Sequence, residues 1–171
     1  MKAVILAGGE GSRLRPLTLG RPKPMTPLLG KPVLGHILDL LRRHGVKDIA
    51  VTLRYLPGAV TDFFGDGADY GVKLTYFVED TPLGTAGGVK KCMDFLGDED
   101  FLVISGDAVC DLDLTELCAL HQSRRWAASL ALCRREEPLE YGLVRVDGEG
   151  RVLGFVAVSY THLTLPTTPY V

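Results

Sequence analysis

Short apolar runs alternate along this chain with stretches of helical period, and that alternation leaves few folds open. Lys2 to Ala7 is an apolar run that stops at Gly8 and Gly9, the mark of a buried strand. Val33 to His44 sets Val33, Leu34, Ile37, Leu38 and Leu41 on one face and His36, Asp39, Arg42 and Arg43 on the other, with Gly45 placed to end the helix. Asp48 to Leu53 reads as a second strand, and Pro57 to Phe64 as a short helix opened by proline. Val72 to Val78 is a third strand, Thr85 to Leu96 a second long helix, and Phe101 to Ile104 a continuous apolar strand running into Ser105-Gly106-Asp107. Asp113, with Glu116 three residues on, reads as the N-cap of a helix reaching about Ser123. Trp126 to Cys133, Gly142 to Val146 and Arg151 to Val156 are expected strands, the last two joined by the hairpin signal Asp147-Gly148-Glu149-Gly150.

Strand–helix alternation predicts an α/β fold: a mostly parallel sheet with helices on both faces, a three-layer arrangement. Ligands of such sheets sit outside the carboxyl ends of the strands, which directs attention to the loops after Ala7, Val78 and Ile104. The balance of 19 Lys+Arg against 21 Asp+Glu, with net charge -2, supports neither a nucleic-acid footprint nor a polybasic membrane patch. No apolar run approaches the roughly 18–20 residues that span a bilayer. Cys92, Cys110, Cys118 and Cys133 form no C-x-x-C pair and are read as reduced thiols of a cytoplasmic protein, mostly filling core. His36, His44 and His121 lack metal-ligand spacing, and Trp126 is expected in the core. Residues 157–171 contain no Asp, Glu, Lys or Arg and no periodicity; they are expected to be a disordered or non-native end after a domain at 1–156.

The residues that carry chemistry cluster at the expected strand ends. In Leu6-Ala7-Gly8-Gly9-Glu10-Gly11-Ser12-Arg13, three glycines in four positions follow a buried strand, so the backbone can wrap closely on a phosphate and turn N–H groups toward it. Arg13 can fork onto phosphate oxygens. Two other phosphate loops do not fit. G-x-G-x-x-G would need glycine at Leu14, and Gly30-Lys31 is followed by Pro32 rather than Ser or Thr. Pro22-Lys23-Pro24 holds a lysine on stiff backbone, able to aim one ammonium at an anion at little entropic cost.

Glu79 begins Glu79-Asp80-Thr81-Pro82-Leu83-Gly84-Thr85, where small residues let a flat base lie on the backbone. An ionised carboxylate offers two acceptors; guanine presents two adjacent donors, N1–H and N2–H, whereas uracil and thymine present one. Asp107, at the end of a buried strand, suits a hard cation such as Mg²⁺. Asp111 lies past the strand end and is expected to be solvated. Glu140-Tyr141-Gly142 is a turn into a strand that could face a sugar.

Taken together, Gly8-Gly9-Glu10-Gly11-Ser12-Arg13-Leu14-Arg15-Pro16-Leu17-Thr18, Pro22-Lys23-Pro24-Met25, Leu83-Gly84-Thr85-Ala86-Gly87 and Gly106-Asp107 resemble the sugar-1-phosphate nucleotidyltransferases from Met1 to about Val156. The version with Glu79 most resembles mannose-1-phosphate guanylyltransferases; glucose-1-phosphate uridylyl- and thymidylyltransferases are close relatives. The resemblance implies a Rossmann-like fold, incomplete at its C-terminus, and condensation of a nucleoside triphosphate with a sugar 1-phosphate. It implies nucleotide contacts from Leu6, Ala7, Gly8, Gly9, Gly11, Ser12 and Thr85, triphosphate contacts from Arg13 and Lys23, and base contacts from Glu79, Pro82 and Gly84. It further implies Mg²⁺ on Asp107 and a sugar approach at Gly142.

Homo-oligomerisation and fusion to a phosphomannomutase-like domain are further expectations for the full-length protein. A non-catalytic nucleotide-sugar-binding regulatory subunit is the other class of function considered. The family usually continues with Glu-Lys-Pro where Ala157-Val158-Ser159 stands here, and its second metal-binding aspartate lies beyond residue 171. A truncated chain of weak or absent turnover is therefore expected.

Overall fold

The computed structural model describes residues 1–134 and 142–156. The expectations for Glu140, Tyr141 and residues 157–171 lie outside the described residues. The chain divides into two compact units, Met1–Ala119 and Leu120–Val171.

The first unit is built on a parallel four-stranded sheet. Its strands are β1 (Lys2–Leu6), β4 (Asp48–Leu53), β5 (Lys73–Val78) and β6 (Phe101–Ser105), in the order β5-β4-β1-β6. Between β1 and β4 lie the small antiparallel pair β2 (Pro27–Leu28) and β3 (Lys31–Pro32) and the helix α1 (Val33–Arg43). Helix α2 (Pro57–Phe64) follows β4, α3 (Gly84–Lys91) and α4 (Met93–Leu96) follow β5, and α5 (Leu114–Arg124) follows β6. Register runs Leu6 beside Thr52 on one side and beside Ser105 on the other, so the ends of β1, β4 and β6 lie level.

Alternation along β1 and β4 separates two cores. Ala3, Ile5, Ile49, Val51 and Leu53 face α1, α2 and the start of α5, packing on Leu34, Ile37, Leu38, Leu41, Val60, Phe64 and Leu114. Val4 and Ala50 face the other way, onto Cys92 and Leu96. Helices thus cover both faces, and the three-layer α/β/α expectation holds.

Three local expectations are corrected. The single helix over Thr85–Leu96 is two, broken at Cys92, whose N–H turns to the Lys90 and Val89 carbonyls; the tightened turn sets Cys92 and Leu96 together on the sheet. Trp126–Cys133 is not a strand: it has no ladder partner among the described residues, and alternation alone cannot supply one. Trp126 is half-buried under the Arg124 guanidinium, 5.5 Å from its ring, rather than in the core. The N-cap expectation holds, since Asp113 Oδ1 accepts the N–H groups of Thr115 (2.9 Å) and Glu116 (3.0 Å). These bonds, that from Glu116 foremost, hold the Asp113 carboxyl below its ordinary value.

In the second unit β7 (Leu143–Val146) and β8 (Val152–Val156) form an antiparallel hairpin. Its turn is closed by Asp147 Oδ1, which accepts from Glu149 and Arg151, and by Gly150 at φ 81°. All four cysteines are free, but only Cys92 is buried; Cys118 is half-buried and Cys110 and Cys133 are exposed, so the core-filler expectation holds for one of the four. Among the described residues no helix is long and apolar enough to cross a membrane.

Candidate nucleotide site at the strand ends

The level ends of β1, β4 and β6 bring three loops together. Gly106 donates its N–H to the Leu6 carbonyl (2.8 Å), and Ala7 donates to the Thr52 carbonyl (3.0 Å). A Cβ on Gly106 would stand 2.8 Å from Ala7 Cβ and 3.1 Å from the Leu6 carbonyl oxygen, so glycine here lets two chain segments touch. Asp107, next in sequence, therefore sits over the loop that follows β1. There it pairs with Lys23, whose ammonium donates to Asp107 Oδ2; both side chains are about one-third exposed.

The glycine loop is held from beneath. Gly11 adopts φ 64°, and a Cβ there would lie 3.1 Å from Lys23 Cβ and 3.2 Å from Thr18 Cγ2. Thr18 is buried and its hydroxyl donates to the Gly11 carbonyl (2.8 Å). Ser12–Leu14 forms a tight 3-10 turn, which carries the backbone of Arg13, and the exposed Ser12 starts it. Gly9 differs from Gly8 and Gly11 in that a Cβ there would meet no atom within 4 Å, and its φ, like that of Gly8, is not in the left-handed region. Nothing in the fold requires glycine at position 9.

Glu79 is not a solvated strand-end acid but is only 8% exposed. Its Oε2 lies 3.4 Å from where a Gly8 Cβ would be, and its Oε1 lies 3.0 Å from a Cβ on Gly88 of α3. Glycines on both sides thus make room for one carboxylate. Oε2 also accepts the Leu83 N–H at 3.4 Å. The Cys92 thiol is pushed up to about 11, by burial first and by the Glu79 charge second. Pro82, Gly84 and Thr85 are exposed at the start of α3, with Gly84 at φ 69°.

The structure thus brings together Leu6, Ala7, Gly8, Gly9, Gly11, Lys23, Glu79 and Asp107. Gly142 belongs to the second unit, at an exposed position ahead of β7. Asp111 is exposed, as expected. Among the described residues, the histidines have oxygen partners rather than a shared site: Leu28 O for His36, Thr115 Oγ1 and Asp113 for His44, and Ser129 Oγ for His121.

Two residues beside the loop were passed over in the sequence. Arg54 follows β4 directly and places Nη1 3.1 Å from Glu10, and Tyr55 donates its hydroxyl to the Leu19 carbonyl (2.9 Å). The strand-end rule points to the loop after Leu53 as much as to the other three.

The electrostatics suit an anion bound with a cation. Lys23, Arg15 and backbone N–H groups lie on the β1 loop, whose one carboxylate, Glu10, is paired with Arg54, and the Asp107 carboxylate lies at the β6 end. No group of three His, Cys, Asp or Glu side chains able to hold a metal alone occurs among the described residues. A single carboxylate with substrate phosphates is a donor set that suits Mg²⁺, which keeps several waters and takes one or two carboxylates.

The sequence matches the family described as nucleotidyl transferase over residues 2–157. It is 39% identical over 154 residues to a mannose-1-phosphate guanylyltransferase of Mycobacterium tuberculosis, covering 90% of this chain and 43% of that protein. It is 40% identical over 168 residues to a UTP–glucose-1-phosphate uridylyltransferase of Synechocystis, covering 91% of this chain and 43% of that protein. Among solved structures, HddC of Yersinia pseudotuberculosis, complexed with GMP-PN, superposes with a TM-score of 0.73 at 27% identity, covering 91% of this chain and 68% of that one. The chain spans less than half the length of the two curated relatives.

Proposed function

The chain belongs to the nucleotidyl transferase family, and from that premise we propose that it condenses a nucleoside triphosphate with a sugar 1-phosphate, releasing pyrophosphate. GTP and mannose 1-phosphate are the favoured pair. Residues 1–156 are the N-terminal part of the catalytic domain that does this. The observation that carries the reading is the Lys23–Asp107 pair, which joins the glycine loop to the end of β6.

The reaction is a single in-line displacement. A phosphate oxygen of the sugar 1-phosphate attacks the α-phosphorus, the bond to the β-phosphate oxygen breaks, and pyrophosphate departs with that electron pair. The residues align charges and form no covalent intermediate. Backbone N–H groups from Gly8 to Ser12 cradle the phosphates, and Arg13 and Lys23 offset charge gathering on the leaving pyrophosphate. Asp107, together with substrate phosphates, would hold a divalent cation, Mg²⁺ by its donor preference, and that cation would supply polarisation of the α-phosphate. Lys23 and Asp107 compensate each other in the chain without ligand. A triphosphate and its cation would give each a new opposite charge, so binding exchanges partners and strands neither charge.

Glu79 supports the choice of guanine. Its carboxylate is buried and held between glycines at the base-side loop, where two adjacent donors on a base edge match it. Gly9 supports a ligand above the loop, since its missing side chain serves no contact within the protein. Gly142 is the proposed sugar approach. A uridylyl reading has its own support in the Synechocystis relative, whose identity to this chain is equally high.

The test is pyrophosphate release from GTP, UTP, dTTP and CTP with mannose- and glucose 1-phosphate, run beside Lys23→Met. The expected result is a preference for GTP and a loss in Lys23→Met of about 2–4 kcal/mol in transition-state stabilisation, by comparison with single charge-stabilising donors. A clear preference for UTP overturns the Glu79 argument.

A further inference from the structure

Glu10 sets a problem for the loop that contains it. A carboxylate in a segment that gathers N–H groups and cations around a polyanion repels the ligand unless something cancels its charge. The structure supplies the cancelling group from the next strand. Arg54, immediately after β4, lies 3.1 Å from Glu10 Oε1, and Arg15 stands farther off at 3.8 Å from Oε2. Arg54 Cβ is also 3.6 Å from where a Cβ on Gly8 would be, so the residue runs alongside the loop from Gly8 to Glu10. Tyr55, next in the chain, reaches the far end of the same segment through its bond to the Leu19 carbonyl. Two consecutive residues therefore grip the loop at both ends, and the turn carrying Arg13 lies between them.

We infer that Arg54 is a positioning residue for the triphosphate: it neutralises and anchors Glu10, while Tyr55 anchors Leu19, and together they hold the glycine loop in shape for the ligand. This rests on the triphosphate reading above for its ligand but not for its anchoring. The Glu10–Arg54 pair is too exposed to matter greatly for folding, with side chains 43% and 26% accessible. Its effect falls on the charge and order of the loop. Removing Arg54 leaves Glu10 uncompensated beside the phosphates. Removing both charges restores neutrality.

Two measurements on the whole chain decide it. In hydrogen exchange without nucleotide, Arg54→Met and Tyr55→Phe are each expected to speed exchange of the amides of residues 10–19 by about three-fold or more, with β1 unchanged. Unchanged exchange there overturns the anchoring. In titrations with a fluorescent GTP and Mg²⁺, Arg54→Met is expected to weaken binding about five-fold at low salt, less as salt rises. Adding Glu10→Gln to Arg54→Met brings affinity back to within about two-fold of wild type, because the charge is what matters. A double variant as weak as Arg54→Met overturns the inference, since Arg54 would then act on the nucleotide directly. Absence of GTP binding by the wild-type chain defeats the triphosphate reading, and exchange in residues 10–19 still decides the anchoring by Arg54 and Tyr55.

Discussion

Substituting Gly106 with alanine tests whether the β6 end is pressed against the β1 loop. Gly106 has no left-handed φ, so the cost is steric alone. The added Cβ would lie 2.8 Å from Ala7 Cβ, 3.1 Å from the Leu6 carbonyl oxygen and 3.2 Å from Ala7 Cα. Carbon atoms pack at about 3.5–4.0 Å, so the overlap with Ala7 Cβ approaches 1 Å. Two of the three atoms met are backbone and cannot rotate away, and the Gly106 N–H must keep its bond to Leu6. Either the strand ends separate and that bond lengthens, or the overlap stays. Overpacking of this kind costs about 1–3 kcal/mol. At roughly 4 °C per kcal/mol for a unit of this size, the melting temperature should fall by about 8 °C.

Gly9→Ala is the control. Its Cβ meets nothing within 4 Å, so its melt should match wild type to within about 1 °C. Fluorescent-GTP titration then separates the two glycines by purpose. Gly9→Ala should bind more weakly while melting normally, because its glycine serves the ligand and not the fold. Equal melts for Gly106→Ala and wild type would refute the reasoning.

Other consequences follow from the same geometry. Glu79→Gln replaces one acceptor oxygen by a donor amide and should erase a preference for GTP over UTP in competitive binding, by about 1–3 kcal/mol; a retained preference would remove Glu79 from base reading. Gly11→Ala forces a side chain into φ 64° against Lys23 and Thr18 and should cost about 1–2 kcal/mol in denaturant melts, with no loss if the turn can relax. The Cys92 thiol, ordinarily 9.0 and about 11 in the fold, stabilises the folded chain as the neutral form. Its contribution is full below pH 9 and is lost as pH rises from 9 to about 11. Tyr76, raised from 10.0 to about 12, loses its own contribution from pH 10 upward, so the Cys92 share is the difference between wild-type and Cys92→Ala melts across pH 9–11. Parallel melts across that window would contradict the assignment.

Much of this fold was legible because its signals are local. The buried run before Gly8, the stripe of α1, the Asp113 cap and the Asp147 turn depend on near neighbours in sequence, and each formed where its pattern lies. The failures depend on partners. Trp126–Cys133 has the composition of a strand, but a strand exists only against a neighbour's ladder. The break at Cys92 comes from docking on Val4 and Ala50, which helical periodicity does not encode. The site divides similarly. The glycine loop and Asp107 follow from strand ends, whereas the burial of Glu79 depends on Gly8 and Gly88, far apart in sequence and brought together by parallel pairing. The Glu10–Arg54 pair is equally non-local: strands paired in parallel bring residues 44 positions apart within 3.1 Å.

The most direct test of the account is a crystal structure of this chain with a non-hydrolysable GTP analogue and Mn²⁺, the metal located by its anomalous signal. Phosphates are expected on the N–H groups between Gly8 and Ser12, with Lys23 turned from Asp107 toward them and the anomalous peak beside the Asp107 carboxylate. Phosphates seated away from that loop, with Lys23 and Asp107 still paired, would contradict it.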